Sequence, residues 1–544
     1  MKNILATLLT VCTVVSCAQT QPKSQVPVLD YEQLNAQALK EYDQPVRPGY
    51  EGKNPYWNGY STRFIYAPAF DLPEVEGAAS YRYTASVKEQ DFSFTAEKPN
   101  LALTPIWRKM PVGHVVLKVE GLDKQNQVVG LAGERKFYRD FPFQGPYQTP
   151  MRTYKESAVR AMMYIHHLPS TQAWEHGTEA DMSFRYNTYP CKMVSAVIRN
   201  ELMLTRFAKK SAAKALAIAK NAGDFLMRIS QAPDAPLAYF PPTYYGNLLA
   251  SALPANQGKT MGMEAAKAAL AFIDLYEFTK EEKYLNHALG IARTYVRIQR
   301  EDGSVPMKLD IATGEAVNEV NSSLHCLLYV FKNLHDKFGI DEFEPARAKA
   351  EHWMITRAYD KFELVGQFED VGVEGLKPYE NLTHWTGIPY LTYALENGER
   401  SPEVIALAQD VLRFSEDQFV LWNMEPGPNG YRTCALPGVW EQHKYRVPVD
   451  DSAGNLATGW LALYKATGDK LYFAKAKAMM DNIVCVQDIR TGRIPTIWTE
   501  KYEKDPSREV WLNCLLDDIL ALFLFSHFVG EESCDEIEGG QLMG

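Results

Sequence analysis

Twelve stretches in which apolar residues recur with the 3.6-residue period of an α-helix follow one another from about Met151 to the end of the chain, and no other feature narrows the possible folds so far. They lie near residues 153–168, 188–207, 209–230, 261–278, 281–300, 319–337, 343–359, 381–397, 401–420, 452–467, 469–487 and 509–529, which predicts six helical hairpins. A local repeat supports the pairing. Gln299-Arg-Glu-Asp-Gly303-Ser-Val-Pro306 and Gln487-Asp-Ile-Arg-Thr-Gly492-Arg-Ile-Pro495 each follow a long helix, and Leu275-Tyr276 and Leu463-Tyr464 occupy matching places in their hairpins. No such unit can bury its apolar face alone, so neighbours must stack. Closed into a ring, they make a mainly α fold, an (α/α)6 toroid with inner and outer helices. An open solenoid of tetratricopeptide type is the competing arrangement, and uneven repeat lengths with long aromatic-rich loops count against it.

Ahead of the helices the pattern changes. Between about Ser61 and Arg139 the period is two, as in Ser80-Tyr-Arg-Tyr-Thr-Ala-Ser86 and Val115-Val-Leu-Lys-Val-Glu120, which predicts a small antiparallel β-sandwich over 57–145. Gly77-Ala-Ala-Ser-Tyr81 and Gly113-His-Val-Val-Leu-Lys-Val-Glu-Gly121 resemble immunoglobulin or fibronectin type III modules, which implies a spacer without catalytic role. At the start, Lys2 precedes an apolar run from Ile4 to Val15 that reads as a secretory signal, too short to span a bilayer. Val14-Val15-Ser16-Cys17 resembles the lipobox of bacterial lipoproteins, so residues 1–17 are assigned to signal and lipobox and Cys17 to the lipid anchor. Residues 18–56 read as tether and lead-in, 146–530 as the catalytic toroid and 531–544 as an acidic tail. No acidic cluster follows Cys17, which favours the periplasmic face of the outer membrane over the cell surface. No second apolar run is expected to cross a membrane, so the lipid is the expected membrane contact.

A chain of 544 residues, 46% hydrophobic, suffices for one large and one small domain. Its net charge of -10 comes without a compensating basic stripe, which argues against a nucleic-acid partner. The cysteines show neither metal spacing nor a disulfide framework, and Cys326, Cys485 and Cys514 fall in apolar helical stretches, as small core residues do. His166, His167 and His176 lack the helical spacing of a metal pair. No metal and no cofactor is expected.

The second helix of each hairpin starts with polar and aromatic groups: Arg185 and Tyr189, Glu264, Glu319 and Asn321, Glu380 with His384 and Trp385, Asp450 and Asp451, Trp511 and Asn513. Helix capping is the ordinary use of the carboxylates and asparagines and explains about half of them. It does not account for His384, Trp385, Trp511, Tyr189 and Arg185, which suit sugars: aromatic faces meet pyranose C–H groups, and arginine clamps carboxylates. The densest stretch runs from Trp440 and Glu441 through His443 and Arg446 to Asp450 and Asp451. Glycoside hydrolysis needs one protonated and one ionised carboxyl, and neighbouring acids push each other's pKa apart. Asp451 is therefore the first candidate for acid or base, with Asp450, Glu380, Glu319 and Glu441 as candidate partners. Arg446 and Arg185 are candidates for a sugar carboxylate, and Tyr244, Trp440 and Trp498 complete the candidate contacts. His443 and His384 would instead serve a lyase or epimerase, which removes a proton alpha to a carboxylate.

The hairpin count, the Gln-x-x-x-Gly-x-Val-Pro turn and the polar inner-helix starts resemble the (α/α) toroid enzymes: unsaturated glucuronyl hydrolases, N-acylglucosamine 2-epimerases and glucuronyl C5-epimerases. With the lipobox and the β module, the chain most resembles exported Bacteroidetes proteins of the toroidal beta-glucuronidase kind over residues 60–530. That resemblance implies an exo-acting hydrolase of uronic-acid-containing glycans. In the unsaturated glucuronyl hydrolases an aspartate at an inner-helix start supplies the acid, and Asp451 is the matching residue here. A polysaccharide lyase or sugar epimerase, and a non-catalytic glycan-binding lipoprotein, are the alternatives.

Overall fold

The computed structural model describes residues 26–46, 61–317, 319–359, 388–423, 436–441, 447–499 and 510–531. Cys17, Glu380, His384, Trp385, His443 and Arg446 lie outside them.

All twelve expected stretches contain a helix. In chain order, after a first helix α1 (Tyr31–Tyr42), they are α2 (Tyr154–His167), α3 (Pro190–Phe207), α4 (Ala212–Ile229), α5 (Glu264–Thr279), α6 (Glu282–Ile298) and α7 (His325–Phe338). Then come α8 (Glu344–Trp353), α9 (Ile388–Glu396), α10 (Pro402–Phe419), α11 (Asp450–Thr467), α12 (Lys470–Val486) and α13 (Leu512–Val529). The helices α3, α5, α7, α9 and α11 each pack on the next of the odd-numbered set, α11 packs on α13, and α13 returns to α3. Six inner helices therefore touch in a closed circuit. The even-numbered helices lie outside, and the first of them, α2, packs against the last inner helix, α13. The chain thus closes by joining its two ends. Glu531, just past α13, fastens that joint: its carboxylate accepts from the Tyr154 and Lys155 amides at 3.0 and 2.9 Å, where the α2 dipole favours an anion.

The repeated turn does the same job twice. Gln299 Nε2 donates to Gly303 O and to Ala346 O of α8, both at 3.0 Å; Gln487 Nε2 donates to Gly492 O at 3.0 Å and to Ser157 O of α2 at 2.8 Å. Each glutamine ties its turn to the next outer helix. Gly303 and Gly492 have φ of +92° and +78°, and a methyl on either would run into the carbonyl of Lys349 or Arg160. Gly492→Ala is expected to cost about 1–3 kcal/mol through strain and collision, read as a lowered urea midpoint. An unchanged midpoint would show that the turn is not tightly held.

Three expectations need correction here. The helix foreseen over 319–337 starts at His325, because Met307 N donates to Val320 O at 2.8 Å and Asn321 bridges Pro306. Polar pairing with an earlier turn overrides helix continuation. The run expected to be free of membrane-length apolar helices includes α13, which is long and apolar enough to span by length and composition. It is instead an inner ring helix, apolar because it packs against α2, α3 and α11. Cys485 is exposed rather than part of the core, whereas Cys326 and Cys514 are buried.

The N-terminal module is one sheet, not a two-sheet sandwich, among the described residues. Strands β1 (Arg63–Phe64), β2 (Ser80–Val87), β3 (Gln90–Ala96), β4 (Gly113–Leu122) and β5 (Val128–Arg139) run in the order β1-β5-β4-β2-β3. Only the β1–β5 pair is parallel. Alternation along β2 and β4 buries one face, but Trp107 stacks on Phe137 at 6.2 Å and Leu103, Ile106 and Met110 cover the rest, in place of a second sheet. Period two reports one buried face and says nothing of what covers it. The stretch read as tether contains α1, capped by Asp30 and docked through Asn35 to Gly145 O (2.8 Å) and Gln37 to Asp469 (2.8 Å).

Buried charge joins this module to the ring. Arg63, 2% exposed, donates to Asp140 Oδ2 at 2.6 Å and to the carbonyls of Asp417 and Val420, with its guanidinium 5.0 Å from the Trp440 ring. Asp417 Oδ1 accepts from the Ile65 and Tyr66 amides, both at 2.7 Å. Beside it, Lys475 Nζ of α12 reaches Glu416 of α10 at 2.7 Å and Glu41 of α1 at 3.2 Å.

Candidate active site

A cavity of about 190 Å³ occupies the middle of the ring. Every inner helix contributes to its wall: Lys192 from α3, Lys267 from α5, His325 from α7, Thr392 from α9, Asn455 from α11 and Asp517 from α13. The volume lies below the roughly 300–1,000 Å³ of pockets for drug-sized ligands, and suits one sugar-sized unit rather than a chain.

At one side of the cavity, acids from two helix starts meet. Asp450 and Asp451 open α11 and are 0% and 3% exposed. Asp450 Oδ1 accepts from the Asp451 amide at 2.9 Å, and no side chain caps the helix. Asp518 and Cys514 come from α13, and Asp518 fits against α11 because Gly454 has no side chain where its carboxylate lies. Burial raises the pKa of Asp450 well above the usual carboxylate range, with Asp518 and Asp451 adding to it; burial followed by Asp451 and Asp517 does the same to Asp518. Asp518 lies close enough for its charge to raise Asp450, and Asp450 Oδ2 and both Asp518 carboxylate oxygens are buried without a hydrogen-bond partner among the described residues.

Asp451 and Asp517 differ in what surrounds them. Burial raises Asp451, while a hydrogen bond from the Cys514 thiol and the ammonium groups of Lys267 and Lys192 favour its charged form. Asp517 faces the cavity, and burial and the Asp451 charge push it up to about 7, against the pull of Lys267 and Arg199. Two buried carboxyls that act on each other can divide acid and base roles between them. Burial raises both; cations act on both as well, Lys267 and Arg199 on Asp517, Lys267 and Lys192 on Asp451, and only Asp451 also receives the Cys514 hydrogen bond.

His325 adds a third kind of group. Its Nδ1 lies 2.8 Å from Ser323 Oγ, and burial with the nearby Lys267 ammonium lowers its pKa to about 3. A neutral imidazole accepts or donates one hydrogen bond but gives no proton to a substrate. Trp511, just ahead of α13, stacks on Tyr186 and Tyr189 at 4.2 and 5.5 Å, with Lys192 Nζ 4.5 Å from its ring.

Among the described residues, Asp450, Asp451 and Cys514 bring ligand atoms within 4.8 Å of one another. Metal ligation needs a thiolate, and burial followed by the Asp451 and Asp450 charges holds the Cys514 thiol well above its ordinary pKa. His166 is paired with Glu201 at 2.7 Å and His176 is largely exposed, so the two do not form a metal pair.

Of the residues singled out from sequence, Asp450, Asp451, Tyr189, Trp511 and Asn513 gather here, and Glu264 lies buried beside Lys267. Glu441 is half-buried near Cys514, and Tyr244 meets Tyr189 edge-on at 6.4 Å. Others belong elsewhere. Glu319 is exposed on a loop, and Asn321 accepts from Arg300 at 2.6 Å outside the cavity. Arg185 is exposed on a short turn. Trp440 is buried under Arg63, and Trp498 is fully buried with its Nε1 on Pro495 O at 2.8 Å, so neither offers a face to a ligand. Lys192, Arg199, Lys267, His325, Asp517 and Asp518 were not singled out. A signal was there: Asp517-Asp518 interrupts an otherwise apolar stretch, and Lys192 sits among buried residues of α3. A charge on a buried helix face is the exception that marks a site.

No protein-family profile matches the chain. No curated protein matches it either. Solved structures do. The chain is similar to a family 76 glycoside hydrolase from a bovine Bacteroides thetaiotaomicron strain, at 10% identity and a TM-score of 0.40, over 82% of this chain and 93% of that one. It is similar to cellobiose 2-epimerase from Spirochaeta thermophila (11%, 0.47, 68% and 96%) and to an unsaturated glucuronyl hydrolase specific for heparin (12%, 0.43, 69% and 97%).

Proposed function

We propose that the protein is an (α/α)6 toroid enzyme, an exo-acting glycoside hydrolase of glycans that carry a uronic acid, beta-glucuronidase-like in its reaction. One observation carries the reading: a cavity sized for a single sugar has on its wall Asp517, a buried carboxyl pushed up to about 7, with a second buried carboxyl, Asp451, close enough to act on it. Asp517 protonates the departing glycosidic oxygen, and Asp451 serves as the ionised partner that activates water or meets the sugar carbon. Cationic side chains on the same wall suit an acidic sugar. This assigns the acid role to a neighbour of the residue favoured from sequence, and keeps Asp451 in the pair.

Mass spectrometry of products from uronate-containing oligosaccharides tests it. Released units that have gained one water support hydrolysis. Products split without water would move the chemistry to elimination, a second reading favoured by the neutral His325 beside Lys267. Unchanged oligosaccharides, bound but intact, would favour the glycan-binding role.

Cys17 is proposed as the acylated anchor that holds the enzyme at the periplasmic face of the outer membrane. Cys17→Ser is expected to move the protein from the membrane fraction to the soluble one.

A further inference from the structure

The cavity continues past the acids. Its wall on α13 runs on from Asp517 to Leu524, about 10 Å of helix, and its wall on α7 and α9 reaches Asn333 and Glu396. The two sides differ in character. On α13 the deep wall is Leu520, Ala521 and Leu524; on α7 and α9, which pack on each other across the ring from it, the deep wall is polar. The Tyr329 ring of α7 meets that of Tyr393 of α9 edge-on at 5.1 Å, and the Glu396 charge reaches the Tyr329 hydroxyl, one turn of α7 ahead of Asn333. Several polar groups of the wall are spent on their own helices. Thr392 Oγ1 donates to Ile388 O at 3.0 Å, Thr458 Oγ1 to Asn455 O at 2.8 Å and Asn455 Nδ2 to Asp451 O at 2.9 Å. Asn333 Oδ1 and Glu396 Oε2 are not: each is a buried atom without a hydrogen-bond partner among the described residues, and Asn333 as a whole is 5% exposed. Lys465 acts on Glu396 by charge, not through a hydrogen bond to that oxygen.

Resting on the reading that a terminal sugar occupies this cavity, we infer that Asn333 and Glu396 accept hydrogen bonds from hydroxyl groups of that sugar, and so set which sugar the cavity takes. Three arguments support this. An interior oxygen without a partner is costly, and folded proteins keep such atoms rare. Two of them on neighbouring helices, in the wall of one cavity, are met when a ligand brings donors. An amide oxygen and a carboxylate oxygen both accept, so the complementary group is an O–H and not a further carboxylate. The wall as a whole fits the same ligand: apolar on α13 for the C–H face of a pyranose, with a few placed polar groups opposite for its hydroxyl edge. The pair also lies at a useful depth. One pyranose with a hydrogen bond at each end covers the distance from Asp517, so hydroxyls held by Asn333 and Glu396 leave the glycosidic bond beside the acid, as exo action requires. A site built to receive a hydroxyl rejects the analogue that lacks it, because the acceptor is then left unpaired.

The test uses binding, which needs no turnover. Ligand-observed NMR compares wild-type affinities for the methyl glycosides of glucuronate and galacturonate with those for their monodeoxy forms at each ring hydroxyl. At least one deoxy form is expected to bind about tenfold or more weakly than its parent. In Asn333→Leu and Glu396→Met the penalty is expected to fall towards one for the hydroxyl that each oxygen receives, and in Glu396→Gln, which keeps the shape, to survive in part. Thermal unfolding supplies a second readout. Asn333→Leu should keep or raise the midpoint, because the free protein loses an unpaired buried oxygen, whereas loss of a purely structural contact would lower it. The wild-type comparison stands even if a variant fails to fold. A wild type indifferent to every deoxy change, or penalties that persist in both folded variants, would overturn the pair and leave the sugar reading in place, the two oxygens then being met by water. A wild type that binds neither parent glycoside would overturn the uronate reading and the pair with it.

Discussion

Replacing Asp517 by asparagine is expected to lower kcat on a uronate oligosaccharide by roughly 10²–10⁴-fold with little change in KM, because the cavity keeps its shape and loses its proton donor. The pH dependence follows from the same group. Asp517 is pushed up to about 7 by burial and by the Asp451 charge, so its donor form is present below that pH and lost above it. Wild-type kcat should therefore fall as pH rises through about 7, and this alkaline limb should be missing from the residual activity of Asp517→Asn. Asp451→Asn should also lower kcat, but by removing the charged partner. It should pull the alkaline limb to lower pH in whatever activity survives, since the Asp451 charge helps to hold Asp517 protonated. A variant Asp517→Asn with near-normal kcat would remove Asp517 from the mechanism. The reaction would then have to draw its proton from another group on the cavity wall.

The largest effect on stability is expected far from the cavity. Lys475 is 1% exposed and holds Glu416, 1% exposed, at 2.7 Å. Burial opposes the Lys475 charge, and Glu41 and Glu416 outweigh that opposition, so its pKa is raised well above the ordinary lysine value. Glu416 also accepts from Tyr66 Oη at 2.8 Å and Trp422 Nε1 at 3.0 Å. The Lys475–Glu416 pair thus ties the segment after β1, α10 and α12 together, and Lys475 adds α1 through Glu41. Lys475→Met strands that carboxylate without its cation, and the expected cost is about 3–5 kcal/mol. A drop in urea midpoint measures it. The double variant Lys475→Met with Glu416→Gln should recover a good part of the loss, since the uncompensated charge is gone and only the packing remains disturbed. A single variant within about 1 kcal/mol of wild type would mean that the knot is solvated and contributes little.

The site was legible only in part, and particular residues show why. Asp451 was readable because a carboxylate pair at a helix start has two separable uses, bonding to the helix backbone and chemistry, and Asp450 is the one bonded to the backbone. Trp511 and Asn513 were readable as polar or aromatic groups at an inner-helix start. Trp440 and Trp498 share that sequence character, yet one packs under Arg63 and the other is fully buried. Composition cannot distinguish an aromatic platform from an aromatic core residue, since both are flat and apolar. Asp517 and Asp518 looked like an interruption of α13, and their meaning depends on which of the two faces inward.

Helix positions, hairpin pairing and the Gln-to-Gly turns were all present in the chain as written, because helical period and turn chemistry depend on residues a few places apart. The same locality explains the misreadings: one sheet face read as half a sandwich, α1 read as tether, and a core helix overlooked as membrane-length. Closure of the ring, the burial of Arg63 and Lys475 between module and helices, and the meeting of Asp451 with Asp517, Lys192 and Lys267 were decided by tertiary structure alone. Those residues come from α11, α13, α3 and α5, which adjoin only because the last inner helix packs against the first. Burial then shifts their proton affinities, and burial belongs to the assembled ring rather than to any stretch of sequence.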